Sequence, residues 1–140
     1  MELTGILETA LYCTTETEEE TRRFYRDFLG LEPVREGSVA HRIGSGVLLL
    51  FNADESAVQD SPPPHGTTGR GHTCFTAAPG EYEGWKEKLA DKGVEFTEEI
   101  RWPSGPRSFY FEDPAGNVLE IAEADMWPGE ESTAGAPRRY

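Results

Sequence analysis

The segment RSFYFEDPAGNVLEIAE, residues 107–123, carries the clearest structural signal in this chain. Its two ends are rich in strand-forming residues, which predicts strands over Arg107–Glu112 and Asn117–Glu123. Between them, Asp113-Pro-Ala-Gly116 has the composition of a tight turn, with Asp at its start and Gly at its end. The segment therefore predicts two neighbouring strands joined by a turn.

The residues before this segment complete a recurring pattern. A strand at Gly71–Ala77 is followed by a helix at Glu81–Lys92 that stops at Gly93, and then by a strand at Val94–Ile100. The second half of the chain therefore reads βαβββ. The first half repeats this order, with a strand at Gly5–Tyr12, a helix within Thr15–Gly30, and strands at Glu32–Glu36, Val39–Ile43 and Gly46–Phe51.

This repeat predicts one domain over residues 1–125. Its first module covers residues 5–52 and its second covers 70–123, while the Pro-rich stretch 53–69 reads as a solvated connector. Residues 126–140 read as a loose tail. Two βαβββ modules predict an α+β fold, with a curved, partly open mixed sheet around a central trough.

Composition excludes several classes of function. The chain has 140 residues with 26 Asp and Glu against 13 Lys and Arg, a formal net charge of −13. Such a surface repels phosphate backbones and anionic lipids, so no nucleic-acid or membrane partner is expected. No export signal is visible, and Cys13 and Cys74 form no CxxC pair, so a cytoplasmic protein with reduced thiols is expected.

Superposing the two halves aligns the residues that are best suited to bind a metal or take part in catalysis. Glu8 aligns with His72 on the first strands, and Leu49 aligns with Glu120 on the last strands. Three of these four residues can bind a metal, and a carboxylate in an apolar strand is costly unless it is paired or coordinated. Each also has a simpler interpretation: a solvent-facing Glu120, a hydrogen-bonded structural His72, a solvated Glu8.

The paired layout, the helix segment RRFYRDFLGL (22–31) and the segment FYFEDPAGNVLEI (109–121) resemble the vicinal oxygen chelate superfamily. This group contains glyoxalase I, fosfomycin-resistance transferases, extradiol dioxygenases and bleomycin-resistance proteins. The resemblance implies metal ligands at Glu8, His72 and Glu120, with Leu49 where glyoxalase I has a further carboxylate. Glu8 departs from the family, whose usual first ligand is His.

The resemblance implies a metal-dependent lyase, isomerase or transferase acting on a small, vicinally oxygenated substrate. One imidazole and two carboxylates form a hard site, which favours Mg, Mn, Ni or Zn over Fe as a Lewis acid that stabilises an oxyanion or enolate. If Glu8 is not a ligand, it is a candidate general base. Tyr110, at a position where ring-cleaving relatives carry a tyrosine, and Arg107, a possible anchor for a substrate anion, complete the catalytic candidates.

Two other functions stay open at this point. One is a metal-free binding protein of the bleomycin-resistance type, for which the acidic charge favours an aromatic, cationic ligand. The other is an extradiol dioxygenase, which needs a second histidine from His41 or His65; His41 either lines the trough or lies on the outer face. A homodimer is expected, and Glu8 can then belong to a different chain from His72 and Glu120.

Overall fold

The structure, a computed structural model, describes residues 1–127. The first half contains β1 (Glu8–Cys13), α1 (Glu18–Asp27), β2 (Ala40–Ile43), β3 (Gly46–Asn52) and a short α2 (Ala53–Ser56). The second half contains β4 (His72–Thr76), α3 (Tyr82–Asp91), β5 (Glu98–Arg101), β6 (Arg107–Glu112) and β7 (Val118–Ala122). None of the helices in residues 1–127 is both long and apolar enough to cross a bilayer.

The strands form two open, mixed sheets, which confirms the predicted α+β fold class. The first sheet has the order β1-β3-β2, with β1 parallel and β2 antiparallel to β3. The second has the order β4-β7-β6-β5, with β4 parallel to β7 and the remaining pairs antiparallel. The two sheets correspond to the two halves of the sequence repeat.

One predicted strand, Glu32–Glu36, is not formed. Its place holds a single bridge between Pro33 and His41, and the chain then turns through Gly37, at φ 73°. Proline has no backbone N–H to donate to a ladder, so a regular strand through Pro33 would lose a hydrogen bond. The first sheet therefore has three strands, whereas the second has four.

The connector is more ordered than its composition predicts. Asn52 accepts a hydrogen bond from the Asp54 backbone N–H and so begins α2, while the His65 backbone N–H donates to the Ser56 carbonyl. These bonds fold the connector back onto the first module. Of the tail predicted for residues 126–140, Met126 and Trp127 are described, and the side chain of Trp127 is exposed; the rest lies outside the described residues.

One apolar core joins the two modules. The helices α1 and α3 bury Phe24, Tyr25 and Leu89, and the sheets add residues from alternating positions. The sheet residues of the core are Leu11, Leu48, Leu50, Phe109, Phe111, Leu119 and Ile121. Because strand side chains alternate between faces, each sheet has one face in this core and one face that is more open.

Candidate functional site

Four residues that can bind a metal or donate a hydrogen bond lie together on the open face of the second sheet. Glu120 lies at the middle of β7, with Cys74 of β4 on one side and Tyr110 of β6 on the other. His72 lies two residues before Cys74 and so shares its face. This face, defined by His72, Cys74, Tyr110 and Glu120, contains two of the three predicted metal ligands.

Glu120 is a buried carboxylate whose polar atoms are incompletely satisfied. Only 3% of the residue is exposed, and Oε1 has no hydrogen-bond partner among the described residues. Oε2 lies 3.4 Å from Nε2 of His72. An unpaired buried carboxylate oxygen costs several kcal/mol, about 3 or more, unless a cation or donor satisfies it. The solvent-facing alternative for Glu120 is therefore wrong.

His72 is oriented toward Glu120 by a backbone group. Its Nδ1 lies 3.0 Å from the carbonyl oxygen of Val118. A carbonyl can only accept, so Nδ1 carries a proton, and Nε2 is the ring nitrogen that faces Glu120. Histidines that bind a metal through one ring nitrogen usually donate the N–H of the other nitrogen to such a carbonyl. The side chain of His72 is half-exposed, at 52%, so a ligand can reach it.

Tyr110 and Cys74 flank this pair as neutral donors. Burial and the neighbouring Glu120 carboxylate raise the pKa of Tyr110 above its ordinary value. Desolvation of the thiol and the same carboxylate raise the pKa of Cys74 to about 12, although the residue as a whole is exposed. The ring of Tyr110 lies nearly parallel to that of His72, with centroids 6.2 Å apart. Both groups keep their protons at neutral pH.

Glu8 does not join this pair within one chain. It is exposed on β1, in the first sheet, whereas His72 and Glu120 belong to the second. Over residues 1–127, no three His, Cys, Asp or Glu side chains converge as a metal site would require. The open face of the first sheet carries Glu8 and Tyr12 of β1 beside Leu49 and Phe51 of β3.

Arg107 lies on the core-facing side of the second sheet, away from the pair. Its guanidinium donates to Glu123 Oε1 at 2.7 Å and also to Glu83, and it lies 4.5 Å from the ring centre of Tyr82. These carboxylates raise its pKa further above its already high ordinary value. These contacts match the alternative in which Arg107 pairs with surface carboxylates, so Arg107 is not part of the proposed site.

Neither of the other histidines stands beside His72. His41 is 2% exposed, lies opposite Leu48 on the core-facing side of the first sheet, and places Nδ1 3.1 Å from the Val39 carbonyl. Burial lowers the pKa of His41. His65 extends from the connector, and its Nδ1 lies 2.8 Å from the hydroxyl of Tyr12.

Tyr12, Phe51 and His65 form a further cluster that the repeat pattern did not predict. Alternation along β1 and β3 was a usable signal, because Tyr12 and Phe51 follow the core residues Leu11 and Leu50 and must face the other way. No local pattern predicted that the connector would bring His65 to them.

The donors present suit a divalent cation. An imidazole nitrogen with a fixed tautomer and a buried carboxylate with an unpartnered oxygen are both ligands that Zn, Ni or Mn accept. Two protein donors are fewer than such a site normally has, so the pair fits part of a metal site.

Comparisons with known proteins agree with this fold. A sequence model of the Glyoxalase/Bleomycin resistance protein/Dioxygenase superfamily matches residues 11–121. A lactoylglutathione lyase from Agrobacterium tumefaciens is 37% identical, with a TM-score of 0.82 over 92% of this chain and 100% of its own.

More distant structures share the fold alone. One is a glyoxalase/bleomycin resistance protein/dioxygenase from Nocardioides, 22% identical, with a TM-score of 0.68 over 93% of this chain and 91% of its own. Another is a virulence protein from Salmonella typhimurium, 22% identical, with a TM-score of 0.68 over 88% of this chain and 98% of its own. A comparison with curated protein sequences found no significant match. The family match and the Agrobacterium structure together show that this chain belongs to the glyoxalase/bleomycin resistance protein/dioxygenase superfamily.

Proposed function

We propose that this protein is a metal-dependent enzyme that acts as a lyase, isomerase or transferase on a small, vicinally oxygenated substrate. The observation that carries the proposal is Glu120, a buried carboxylate with an unpartnered oxygen beside the oriented Nε2 of His72. A structural role for Glu120 would leave Oε1 with only the neighbouring Cys74 thiol and Tyr110 hydroxyl as donors, neither of them in hydrogen-bonding geometry, whereas a cation would satisfy it. The name of the Agrobacterium relative points the same way, because lactoylglutathione carries a hydroxyl and a carbonyl oxygen on adjacent carbons.

The chain's own residues have distinct roles in this proposal. A divalent ion held by His72 and Glu120 would supply Lewis-acid polarisation of two adjacent substrate oxygens. Tyr110, which keeps its proton, is placed to donate a hydrogen bond to an oxygen that gains negative charge. Cys74 lies beside Glu120 on the neighbouring strand β4 and lines the same face.

Glu8 has a role only if a second copy of the chain supplies it. Its side chain is exposed on β1, an edge strand of the first sheet, and edge strands are common sites of association. In a symmetric dimer, the first sheet of each copy would face the second sheet of the other, and each site would gain one Glu8. There Glu8 serves as the third ligand or, if it does not bind, as the general base, since Leu49 offers no carboxylate.

Metal binding tests the proposal directly. Purified protein without a His tag is incubated with Mn, Ni or Zn, dialysed, and measured for metal content and by calorimetric titration. Wild type should retain one ion per chain, while Glu120→Gln and His72→Gln should each bind at least about tenfold more weakly. Glu87→Gln, at an exposed site on α3, is the matched control and should bind like wild type.

The outcome also separates the competing functions. A wild type that holds no stoichiometric metal with any of the three ions would overturn the enzyme proposal in favour of a metal-free binding protein. The dioxygenase alternative has less support, because His41 is buried on the opposite face of its sheet and His65 is engaged by Tyr12.

A mixing experiment tests the shared site. Glu8→Gln and Glu120→Gln protein should each bind metal weakly, and a re-equilibrated equal mixture should recover about a quarter of the wild-type sites, since heterodimers contain one intact site each. Binding by Glu8→Gln at wild-type strength would show that Glu8 is not a ligand and would leave it only the general-base role.

A further inference from the structure

Residues 1–7, which we call the arm, precede β1 without joining a helix or a strand. The side chains of Leu3, Ile6 and Leu7 are 98%, 86% and 76% exposed. In residues 8–127 the exposed large apolar residues are Val34, Val58 and Trp127, which lie far apart in the sequence. Single exposed apolar residues are ordinary, whereas a cluster of them usually marks an interaction site. The arm is such a cluster.

An apolar groove of about 250 Å³ lies between the two modules. Its apolar lining includes Leu29, Leu31, Ile43, Phe75, Ala78 and Trp85. Several of these side chains are only half-buried, so the groove is open at the surface. Glu81 is the one charged residue that lines it within residues 1–127. Since about 150 Å³ holds a benzene molecule, the groove has room for one or two aliphatic side chains.

The arm leaves the first sheet at the rim of this groove. The carbonyl of Leu7 accepts a hydrogen bond from the Val47 backbone N–H at 3.2 Å. A Cβ placed on Gly46 would lie 3.4 Å from the carbonyl oxygen of Leu7 and 3.8 Å from that of Ile43. Because Glu8 lies on the open face, Leu7 points to the core-facing side, as Ile43 does. The arm and the groove therefore meet at one end of the molecule.

This placement allows two copies of the chain to exchange arms. A two-fold axis beside the rim would put each arm over the other copy's groove, and both contacts would be identical. Burial of Leu3, Ile6 and Leu7 removes about 100 Å² of apolar surface each, and the surface that they cover loses about as much. Two exchanged arms then bury about 1,200 Å², which reaches the lower end of the range for stable interfaces.

The exchange also fits the arrangement proposed above for Glu8. Glu8 follows the arm directly, and Phe75 of the groove lies on β4, the strand that carries His72. If Glu8 of one copy approaches His72 of the other, its arm arrives at the edge of β4, beside the groove. An arm that bound its own groove would be covered within one chain, but Leu3 and Ile6 are almost fully exposed there.

We propose that the arm of one copy binds in the groove of a second copy, so that the protein forms a dimer with exchanged arms. The interface is apolar and involves no metal ligand. The inference therefore goes beyond the proposed function and does not rest on it.

Sedimentation equilibrium of the full chain in EDTA tests the exchange. Wild type should be a dimer with a Kd of about 10 μM or below. Leu3→Asp and Ile6→Asp should each raise that Kd at least about tenfold, because an unpaired carboxylate is costly to bury in an apolar groove. Val58→Asp is the matched control: it adds the same charge at a connector position that is 78% exposed, and it should dimerise like wild type.

A change in the groove should have the same effect as a change in the arm. Ala78 lines the groove and is exposed, so Ala78→Trp fills the space without removing a core side chain. Its dimer Kd should also rise at least about tenfold. The double variant Ile6→Asp/Ala78→Trp should be weakened by much less than the product of the two single effects, because both substitutions remove one contact.

Salt distinguishes an apolar interface from an ionic one. Each copy carries a net charge of −13, so two copies repel each other and added NaCl should tighten the dimer. Weakening by salt would overturn the proposal, as would a wild type that stays monomeric at about 100 μM.

The arm variants have two further outcomes that would overturn the proposal. One is dimerisation of Leu3→Asp and Ile6→Asp at wild-type strength. The other is a lower Tm in these variants with an unchanged Kd, which would mean that the arm packs on its own chain. Because every measurement is made without metal, any of these failures would leave the metal test of His72 and Glu120 untouched.

Discussion

Asp113 accepts four hydrogen bonds although only 4% of the residue is exposed. Its donors are the Tyr25 hydroxyl and Nδ2 of Asn117, both at 2.8 Å, and the backbone N–H groups of Ala115 and Asn117, both at 2.9 Å. Tyr25 comes from α1 and the others from the β6–β7 turn. One carboxylate therefore shapes the turn and ties it to the first module.

Removal of this carboxylate should be among the most destabilising single changes. Asp113→Ala leaves the Tyr25 hydroxyl and one N–H of the Asn117 amide without an acceptor, so we expect the free energy of unfolding to fall by about 3 kcal/mol, measured by urea denaturation. Tyr25→Phe, which removes one donor, should cost about 1 kcal/mol. Asp91→Ala, at the exposed end of α3, should stay within about 0.5 kcal/mol of wild type; an equal loss there would contradict this account.

At the scale of elements, Gly71 lies where a side chain would collide with both modules. A Cβ placed there would lie 2.6 Å from Oδ1 of Asn117 and 3.2 Å from Cδ2 of Leu11. Asn117 cannot move away cheaply, because its amide donates to both Asp113 and the Tyr12 carbonyl. The start of β4 therefore reaches its position only with glycine before it.

Two glycine-to-alanine substitutions should change the free energy of unfolding in opposite directions. Gly71→Ala should lower the free energy of unfolding by about 2 kcal/mol, because the added methyl displaces the Asn117 amide. Gly84→Ala, inside α3 with no heavy atom of residues 1–127 within 4 Å of the new methyl, should raise it by about 0.5–1 kcal/mol through helix propensity. Thermal unfolding of both variants gives the comparison, and destabilisation by Gly84→Ala would argue against the described geometry of α3.

Most elements were predictable because periodicity is local. The strand Arg107–Glu112 was predicted with its observed bounds, and the α1 and α3 regions were predicted from apolar spacing. The strand predicted at Glu32–Glu36 is missing because it contains Pro33, which cannot donate to a ladder, and that signal was available in the sequence. The helix α2 was missed because its cap, Asn52, lies at the end of a strand.

The site was predictable only in part. The superposition of the halves aligned Glu8 with His72 and Leu49 with Glu120, and of these residues His72 and Glu120 are neighbours in the structure. It could not say whether Glu8 meets them within one chain, because the repeat fixes each module and not the way modules face each other. Glu8 as a ligand stays a prediction. The connector's path, which brings His65 to Tyr12, depends on tertiary contacts that no local pattern encodes.

At the scale of the whole molecule, the chain carries a large excess of negative charge. Ion pairs such as Arg107 with Glu123 and Lys86 with Glu99 use some of the cations, but carboxylates exceed cations by 13 in the chain. Salt screens interactions between exposed charges beyond about 8–10 Å at physiological strength. The repulsion summed over the surface therefore outweighs the attraction in a few exposed pairs.

We expect salt to stabilise the fold. Raising NaCl from about 10 mM to about 0.5 M should raise Tm by several degrees, because screening relieves more repulsion than it removes attraction. The double variant Glu87→Lys/Glu95→Lys, at exposed positions, lowers the net negative charge and should show a smaller salt effect. A Tm that falls with salt would mean that ion pairs dominate the surface electrostatics.

Alkaline pH should destabilise the whole molecule in a defined window. Burial raises the pKa of Cys13 from its ordinary 9.0 to about 11, and burial with the Asp113 carboxylate raises that of Tyr25 well above 10. In the unfolded chain these groups release their protons at lower pH, so rising pH stabilises the unfolded state relative to the folded state. The stability that they contribute is complete below pH 9 and is lost as pH rises through 11. Urea midpoints at pH 8, 9, 9.5 and 10 should therefore fall progressively from pH 9 upward. The thiol of Cys74, whose pKa is raised to about 12, contributes to the same fall, so Cys13→Ala should flatten part of it between pH 9 and 10. An unchanged slope in that variant would show that the buried thiol does not control alkaline unfolding.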